Sequence, residues 1–207
     1  MKPVLLVIAG PNGSGKTTIT TRLRVERWSA GVEYLNPDDI ARDRFGDWSS
    51  PTAVLQAANW TLQRREELLR AHQGIAFETV FSTQEKVDFL ERAKRAGYFL
   101  RCFFVGTTDP RINAARVANR VMQGGHSVPI EKIISRYTRS MANLSAAVEL
   151  CDRVYVYDNS VDDVEARLCA RTQEQRLRKI YGPLPTWVED ATAGMPRHSE
   201  FVDLRAA

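Results

Sequence analysis

Residues 10–17 read GPNGSGKT and match G-x-x-x-x-G-K-[ST] at every fixed position. Glycines at this spacing let backbone N–H groups curl around a phosphate. The lysine after the last glycine reaches the β and γ phosphates of a nucleoside triphosphate, and the hydroxyl that follows takes Mg²⁺. On this pattern Gly10, Pro11, Asn12, Gly13, Ser14, Gly15, Lys16, Thr17 and Thr18 form a nucleotide-binding loop, with Thr17 as the Mg²⁺ ligand.

A second group of residues could handle an acceptor. NPDD (36–39), ETVFST (78–83) and DNS (158–160) each follow a short apolar run. In a parallel α/β sheet such positions fall at the carboxyl ends of strands, where ligands bind. Transfer of a phosphoryl group to a hydroxyl is helped by a carboxylate that accepts the hydroxyl proton, and Asp38 or Asp39 can do this. Asp38 also reads as a helix N-cap, and the two roles are compatible. Glu78 ends an apolar strand, where an unpartnered carboxylate is costly to bury. It reads as a site residue, orienting a Mg²⁺-bound water or binding the acceptor.

A third group is cationic. Arg116 and Arg120 stand four residues apart on one helix face, and Lys132, Arg136, Arg139 and Asn143 form a stripe on the next helix. Basic stripes are commonly just solvated faces. Behind a phosphate loop, two of them joined by Gly124-Gly125 read as a lid over about 109–140, with Arg120 and Arg136 clamping the moving phosphoryl. His126 reads as a turn or cap residue.

The elements that must position these groups alternate. PVLLVIA (3–9) is a continuous apolar run of the kind found in a buried parallel strand. Further strands are expected at VEYLN (32–36), GIAFETVF (74–81), YFLRCFFVG (98–106) and DRVYVYDNS (152–160). Helical spacing covers the stretch after the glycine loop, 51–72 with a stripe at Leu55, Ala58, Leu62 and Leu69, 82–97, 109–125, and Pro129 to Leu150. The expected fold is therefore α/β, a P-loop nucleotide-kinase type with a parallel five-stranded sheet flanked by helices and a helical lid. One domain is expected over 1–190. The last 45 or so residues read as helical and then Pro-rich, with a flexible tail over 191–207.

Composition removes other classes. The chain has 207 residues, 43% of them hydrophobic and 26% charged, as in an ordinary soluble domain. No apolar run is long enough to span a membrane, and a cytoplasmic location is expected. Cys102, Cys151 and Cys169 lack metal-ligand spacing and read as free thiols. A net charge of +4 is too modest to call for nucleic acid, although Arg outnumbers Lys by 23 to 6. There is no N-K-x-D for guanine, and DRFG (43–46) follows no strand and reads as a coincidental match to a switch motif.

GPNGSGKTT, NPDDIAR, FETVFST, RVANRVMQGGHSVP, RYTRS with NLSAA, and YVYDNS occur in an order that resembles the zeta toxin family of P-loop kinases over about residues 3–160. The resemblance implies ATP and Mg²⁺ as cofactors and phosphorylation of a hydroxyl on UDP-N-acetylglucosamine. It implies Lys16 and Thr17 at the phosphates and Mg²⁺, and Asp38, rather than Asp39, as the base. Glu78 and Thr79 would then face the acceptor, Arg120 and Arg136 would bind phosphate, and Asn159 would lie near the adenine. It also leaves room for a separate antitoxin protein. The residues alone equally allow a kinase of another acceptor (a nucleoside, an antibiotic or a nucleic-acid 5′-hydroxyl) or a nucleotide-dependent regulatory protein.

Overall fold

The computed structural model describes residues 2–23, 31–46, 50–123 and 128–205. Trp48, Gly124, Gly125 and His126 lie outside the described residues. Strands β1 (Val4–Ala9), β2 (Val32–Leu35), β3 (Gly74–Thr79), β4 (Phe99–Gly106) and β5 (Arg153–Asp158) lie in the order β2-β3-β1-β4-β5, and every adjacent pair is parallel. Leu5 through Ala9 are all buried, as the continuous apolar run requires of a central strand covered on both faces. After β3 the chain passes over β1 to reach β4 on its far side. That reversal opens a crevice at the carboxyl end of β1, where the glycine loop sits.

The sheet continues beyond β5. β6 (Arg167–Gln173) and β7 (Arg176–Ile180) add antiparallel, and β8 (Arg197–Asp203) pairs parallel with β7. The expected five-stranded parallel sheet is thus the parallel half of an eight-stranded mixed sheet. The stretch after residue 160, expected as helix, is mainly a hairpin. Cys169, Ala170 and Thr172 in β6 and Leu177 and Ile180 in β7 turn into the core. Glu174 and Gln175 between them take φ +53° and +57°, the left-handed pair that a tight hairpin turn uses. Residues 197–203, expected as tail, are the edge strand β8, to which Arg178 of β7 is tied by its ion pair with Glu200 at 2.6 Å.

Among the described residues seven helices flank the sheet: α1 (Lys16–Leu23), α2 (Pro37–Phe45), α3 (Pro51–Arg70), α4 (Gln84–Arg95), α5 (Pro110–Met122), α6 (Ile130–Leu150) and α7 (Thr186–Thr192). Helix α3 buries only part of the expected stripe. Leu69 is buried as expected, but Leu55 and Leu62 are exposed, and Ala53, Ala57, Thr61, Arg65 and Leu68 turn inward instead. Small residues let the helix lie close to its neighbours, and an arginine occupies a place where leucine would be expected. Helix α6 buries Ile133, Leu144, Ala147 and Val148 and leaves Ile130 and Ile134 exposed. The three cysteines are buried free thiols. No described helix is long and apolar enough to cross a membrane.

Helix α7 lays Trp187 across the end of β4. A Cβ added to Gly106 would stand 2.7 Å from the Trp187 ring. Such overpacking costs roughly 1–3 kcal/mol. Gly106→Ala is therefore expected to lower the unfolding free energy by that amount, read as a lower urea midpoint at unchanged slope. An unshifted midpoint would mean that the C-terminal strands and α7 do not bear on the parallel half of the sheet.

Candidate active site

The glycine loop is built on β1 and ends in α1, whose first residue is Lys16. Side chains from two other elements pin it. Asn113 of α5 is buried; it accepts from the Thr107 hydroxyl and donates through Nδ2 to the Asn12 carbonyl at 2.6 Å. Asn159, just past β5, donates through Nδ2 to the Ser14 carbonyl at 2.8 Å. Both contacts require glycine nearby. At Gly13 (φ +75°) a Cβ would meet the Asn113 carbonyl oxygen at 2.6 Å, and at Gly15 (φ +90°) it would meet the Asn159 amide at 2.3 Å. The Gly10 and Ser14 N–H groups are taken by the carbonyls of Thr79 at 3.2 Å and Pro11 at 3.3 Å, and the remaining N–H groups of the loop are those a ligand can use.

Lys16 donates to the carbonyls of Gly10 at 2.9 Å and Pro11 at 2.8 Å. Loss of hydration on burial pulls its pKa down to about 8, partly countered by the Glu78 carboxylate and reinforced by the Arg120 cation. An ammonium this poorly solvated is prepared for an anionic partner. Thr17 donates its hydroxyl to Glu78 Oε2 at 3.3 Å, and Tyr34 donates to Glu78 Oε1 at 3.1 Å. Glu78 stands opposite Ile8 in the β3–β1 register, which brings its carboxylate beside the loop. A hydroxyl and a carboxylate side by side are hard oxygen donors of the kind Mg²⁺ prefers. Among the described residues, no group of three or more His, Cys, Asp or Glu gathers as a metal site, and Mg²⁺ characteristically relies on few protein ligands plus phosphate.

The two aspartates have different surroundings. The N-cap of α2 is Asn36, whose Oδ1 accepts from the Asp38 backbone N–H at 3.0 Å; the cap reading of Asp38 itself is corrected. Pro37, Asp38 and Asp39 are the first three helical positions. Asp39 folds back on the cap, accepting from Asn36 Nδ2 at 3.2 Å and from Arg42 at 2.9 Å. Asp38 lines a cavity of about 480 Å³ with Lys16, Thr17, Glu78, Thr79, Arg116 and Arg120. Its carboxylate makes no side-chain hydrogen bond or ion pair among the described residues.

Other expected residues divide between the site and its supports. Thr79 lines the cavity, but its hydroxyl oxygen accepts from the Phe81 N–H at 3.0 Å. Phe81 is buried and holds φ +56°, a strained conformation that Asn143 also steadies by donating to its carbonyl at 3.0 Å. Arg120 reaches the cavity, whereas Arg136 on α6 is not among its walls. Arg116, noted in the sequence only as a neighbour of Arg120, is central. It forms an ion pair with Asp162 at 2.6 Å and donates to the Asn159 carbonyl at 2.7 Å. It also borders a second cavity of about 240 Å³ that holds Gly15, Thr18 and Asn159. Asn36, Tyr34 and Asn113 escaped sequence reasoning. Only Asn36 carried a signal, as an Asn immediately before Pro at a helix start.

The zeta toxin family profile matches residues 1–165. An uncharacterized protein of Haemophilus influenzae is 26% identical over 137 residues, which is 66% of this chain and 94% of that one. Among solved structures, the AvrRxo1-ORF1:AvrRxo1-ORF2 complex with sulphate ions is similar with a TM-score of 0.63 at 18% identity, covering 85% of this chain and 60% of that one. This chain thus corresponds to about 60% of that structure's length. The PezAT chromosomal toxin–antitoxin system of Streptococcus pneumoniae is similar with a TM-score of 0.56 at 16% identity, covering 80% and 70% of the two chains. The eight-stranded architecture with its glycine loop at the β1 crevice is a P-loop kinase fold, and the chain belongs to the zeta toxin family.

Proposed function

We propose that the protein is an ATP-dependent phosphotransferase that moves the γ-phosphoryl of ATP to a hydroxyl of a UDP-activated amino sugar of the UDP-N-acetylglucosamine type. The observation that carries this reading is the contrast between the aspartates: Asp39 is bonded into the helix cap, while Asp38 is free in the cavity that holds Lys16 and Arg120. ATP is supported by the glycine loop and by a structure of the same fold solved with ATP. The sugar rests on family membership. A separate antitoxin protein is proposed as partner, since one neighbour of the fold is a toxin–antitoxin system.

In this reading the triphosphate lies along the loop, and the base extends toward the second cavity beside Thr18 and Asn159. Lys16 holds the terminal phosphates. Thr17 and Glu78 would hold Mg²⁺, which supplies charge neutralisation at the phosphate oxygens. Asp38 accepts the proton of the acceptor hydroxyl as that oxygen bonds to the γ-phosphorus, and the bond from phosphorus to the ADP oxygen breaks. Arg120 faces the charge on the group in transit. The chain acts as a single kinase domain whose lid falls within 109–140.

Asp38→Asn should lower turnover by roughly 10²–10⁴-fold while ATP still binds. Asp39→Asn should retain most of the activity and lose only cap stability. Mass spectrometry of a UDP-sugar panel incubated with ATP and Mg²⁺ reads both. ATP hydrolysis without any phosphorylated sugar would remove the acceptor assignment, and equal activity of wild type and Asp38→Asn would remove the base. Glu78→Gln should raise the Mg²⁺ concentration needed for half-maximal turnover by about 10–100-fold, measured by Mg²⁺ titration at fixed ATP. An unchanged requirement would take Glu78 out of the metal site.

A further inference from the structure

The sheet carries a second charged region, at the end of β4 and β5 opposite the glycine loop. Strand register sets its residues in two ladders. In the first, Arg101 of β4 stands opposite Arg153 of β5, Arg153 opposite Gln173 of β6, and Gln173 opposite Arg176 of β7. In the second, Phe103 stands opposite Tyr155, Tyr155 opposite Arg171, and Arg171 opposite Lys179. Both ladders alternate with Cys102, Val154, Thr172 and Ile180, which are buried on the other face, so they share one face. Helix α1 packs at the part of this face nearest the loop, where Ile19 and Leu23 cluster with Phe103 and Tyr155. Arg153, Arg171 and Lys179 are half-buried, and Arg176 is exposed.

The charge on this face is not balanced. No Asp or Glu occupies either ladder. Among the described residues Arg153, Arg171, Arg176 and Lys179 make no ion pair and no side-chain hydrogen bond. Carboxylates close by in sequence serve elsewhere. Asp152 accepts from the Leu100 N–H at 2.7 Å, and Glu165 pairs with Arg22. Like charges directly opposite on neighbouring strands destabilise a sheet, yet Arg101 faces Arg153 and Arg171 faces Lys179. Aromatic rings steady some of these cations. The guanidinium carbons of Arg101 and Arg153 lie 5.5 Å and 5.8 Å from the Phe99 ring centre, and Lys179 Nζ lies 4.7 Å from that of Tyr181. A ring cancels no charge and leaves the N–H donors of the cation to an anion.

The kind of anion follows from what else the face holds. A protein interface is built on an apolar core, and apart from aromatic rings the two ladders contain no apolar side chain. Nucleic-acid interfaces are polar and strongly cationic. A four-stranded face roughly 14 Å wide, bearing arginines beside aromatic rings, suits a single strand better than a duplex. We infer that this face binds the phosphates of single-stranded nucleic acid, with Arg153, Arg171, Arg176 and Lys179 as contacts and Tyr155 as a ring in reach of a base. The modest net charge of the chain conceals this local excess. Half of the face, on β6 and β7, lies beyond residues 1–165 of the family match, and the site is separate from the proposed phosphoryl transfer.

The test is fluorescence anisotropy of a labelled single-stranded RNA of about 12 nucleotides, titrated with the full chain. The glycine loop is first saturated with a non-hydrolysable ATP analogue and Mg²⁺, so that it cannot take up the RNA. Single-stranded DNA of the same sequence and an oligoglutamate of equal charge are run beside it. RNA should bind at low salt, and log affinity should fall against log salt with a slope of about −3 for four phosphate contacts. Arg153→Gln combined with Arg171→Gln should weaken binding tenfold or more and make the slope shallower by about 1.4. Arg176→Gln combined with Lys179→Gln should do the same, and keeps the test valid if the first pair does not fold. Affinity for the ATP analogue should stay constant in both. Equal affinity for RNA and DNA upholds a contact to phosphate, and a preference for RNA upholds one that also reads the 2′-hydroxyl. The inference is overturned by absence of binding to either strand, or by binding indifferent to both double variants. Oligoglutamate bound as tightly as RNA also overturns it, and makes the face a docking site for an acidic protein segment.

Discussion

The site depends on two carboxamides. Asn113 of α5 and Asn159 after β5 each bond a carbonyl of the glycine loop. A loop of this kind has no regular hydrogen bonding of its own, so something else must decide which way its peptide groups face. With the Asn12 and Ser14 carbonyls bonded from outside, the course of the loop is set before any phosphate arrives. The same two residues connect the loop to its surroundings. Asn113 belongs to α5, and the Asn159 carbonyl accepts from Arg116 at the middle of the same helix. Tyr137 of α6 donates to the Thr107 carbonyl at 2.6 Å, extending the connection to the next helix. The loop, the ends of β4 and β5 and helices α5 and α6 are therefore one hydrogen-bonded unit.

A second constraint separates the roles of adjacent aspartates. Both carry the same chemistry, and both sit in the first turn of α2, where a negative charge is favoured. What differs is rotation about the helix axis. At the third helical position Asp39 lies over the cap and accepts from Asn36 Nδ2, while Asp38 at the second lines the crevice. Asn36 thus does more than end a strand. It orients the turn so that one carboxylate is bonded into the cap and the other is left facing the cavity.

Much of this was legible in the sequence wherever local pattern and tertiary role coincide. The β1 run, the glycine loop and the alternating strands follow from periodicity and spacing, and the five parallel strands are found in the expected places. Arg136 was read from a charge stripe, which reports only which residues share a helix face and not where that face points. The stripe of α3 misled for the opposite reason. Leu55 and Leu62 outweigh Ala53 and Ala57 in hydrophobicity, yet close approach of the helix favours the small residues. Arg65 could not be placed inside by any rule of composition, because an arginine is buried only when specific partners surround it. The β6–β7 hairpin was missed because its turn uses Glu174-Gln175 instead of the Asn-Gly or Asp-Gly that usually marks such a turn.

The cavity is divided by charge along the sheet. Cations come from the loop and α5 on one side, and the carboxylates of Asp38 and Glu78 come from β2–α2 and β3 on the other. Self-repulsion within either set is relieved only when they face each other across a ligand that is anionic on one side and donates a proton on the other. A triphosphate and a hydroxyl meet that demand together, and neither does alone. The strands beyond residue 165 lie outside this division and outside the family match. Their effect reaches the site through Trp187, whose ring closes over Gly106 directly before Thr107, the residue whose hydroxyl holds Asn113 against the loop. The C-terminal part of the chain is therefore a brace behind the phosphate-binding unit, placed where it can keep the loop's supports in register without entering the crevice.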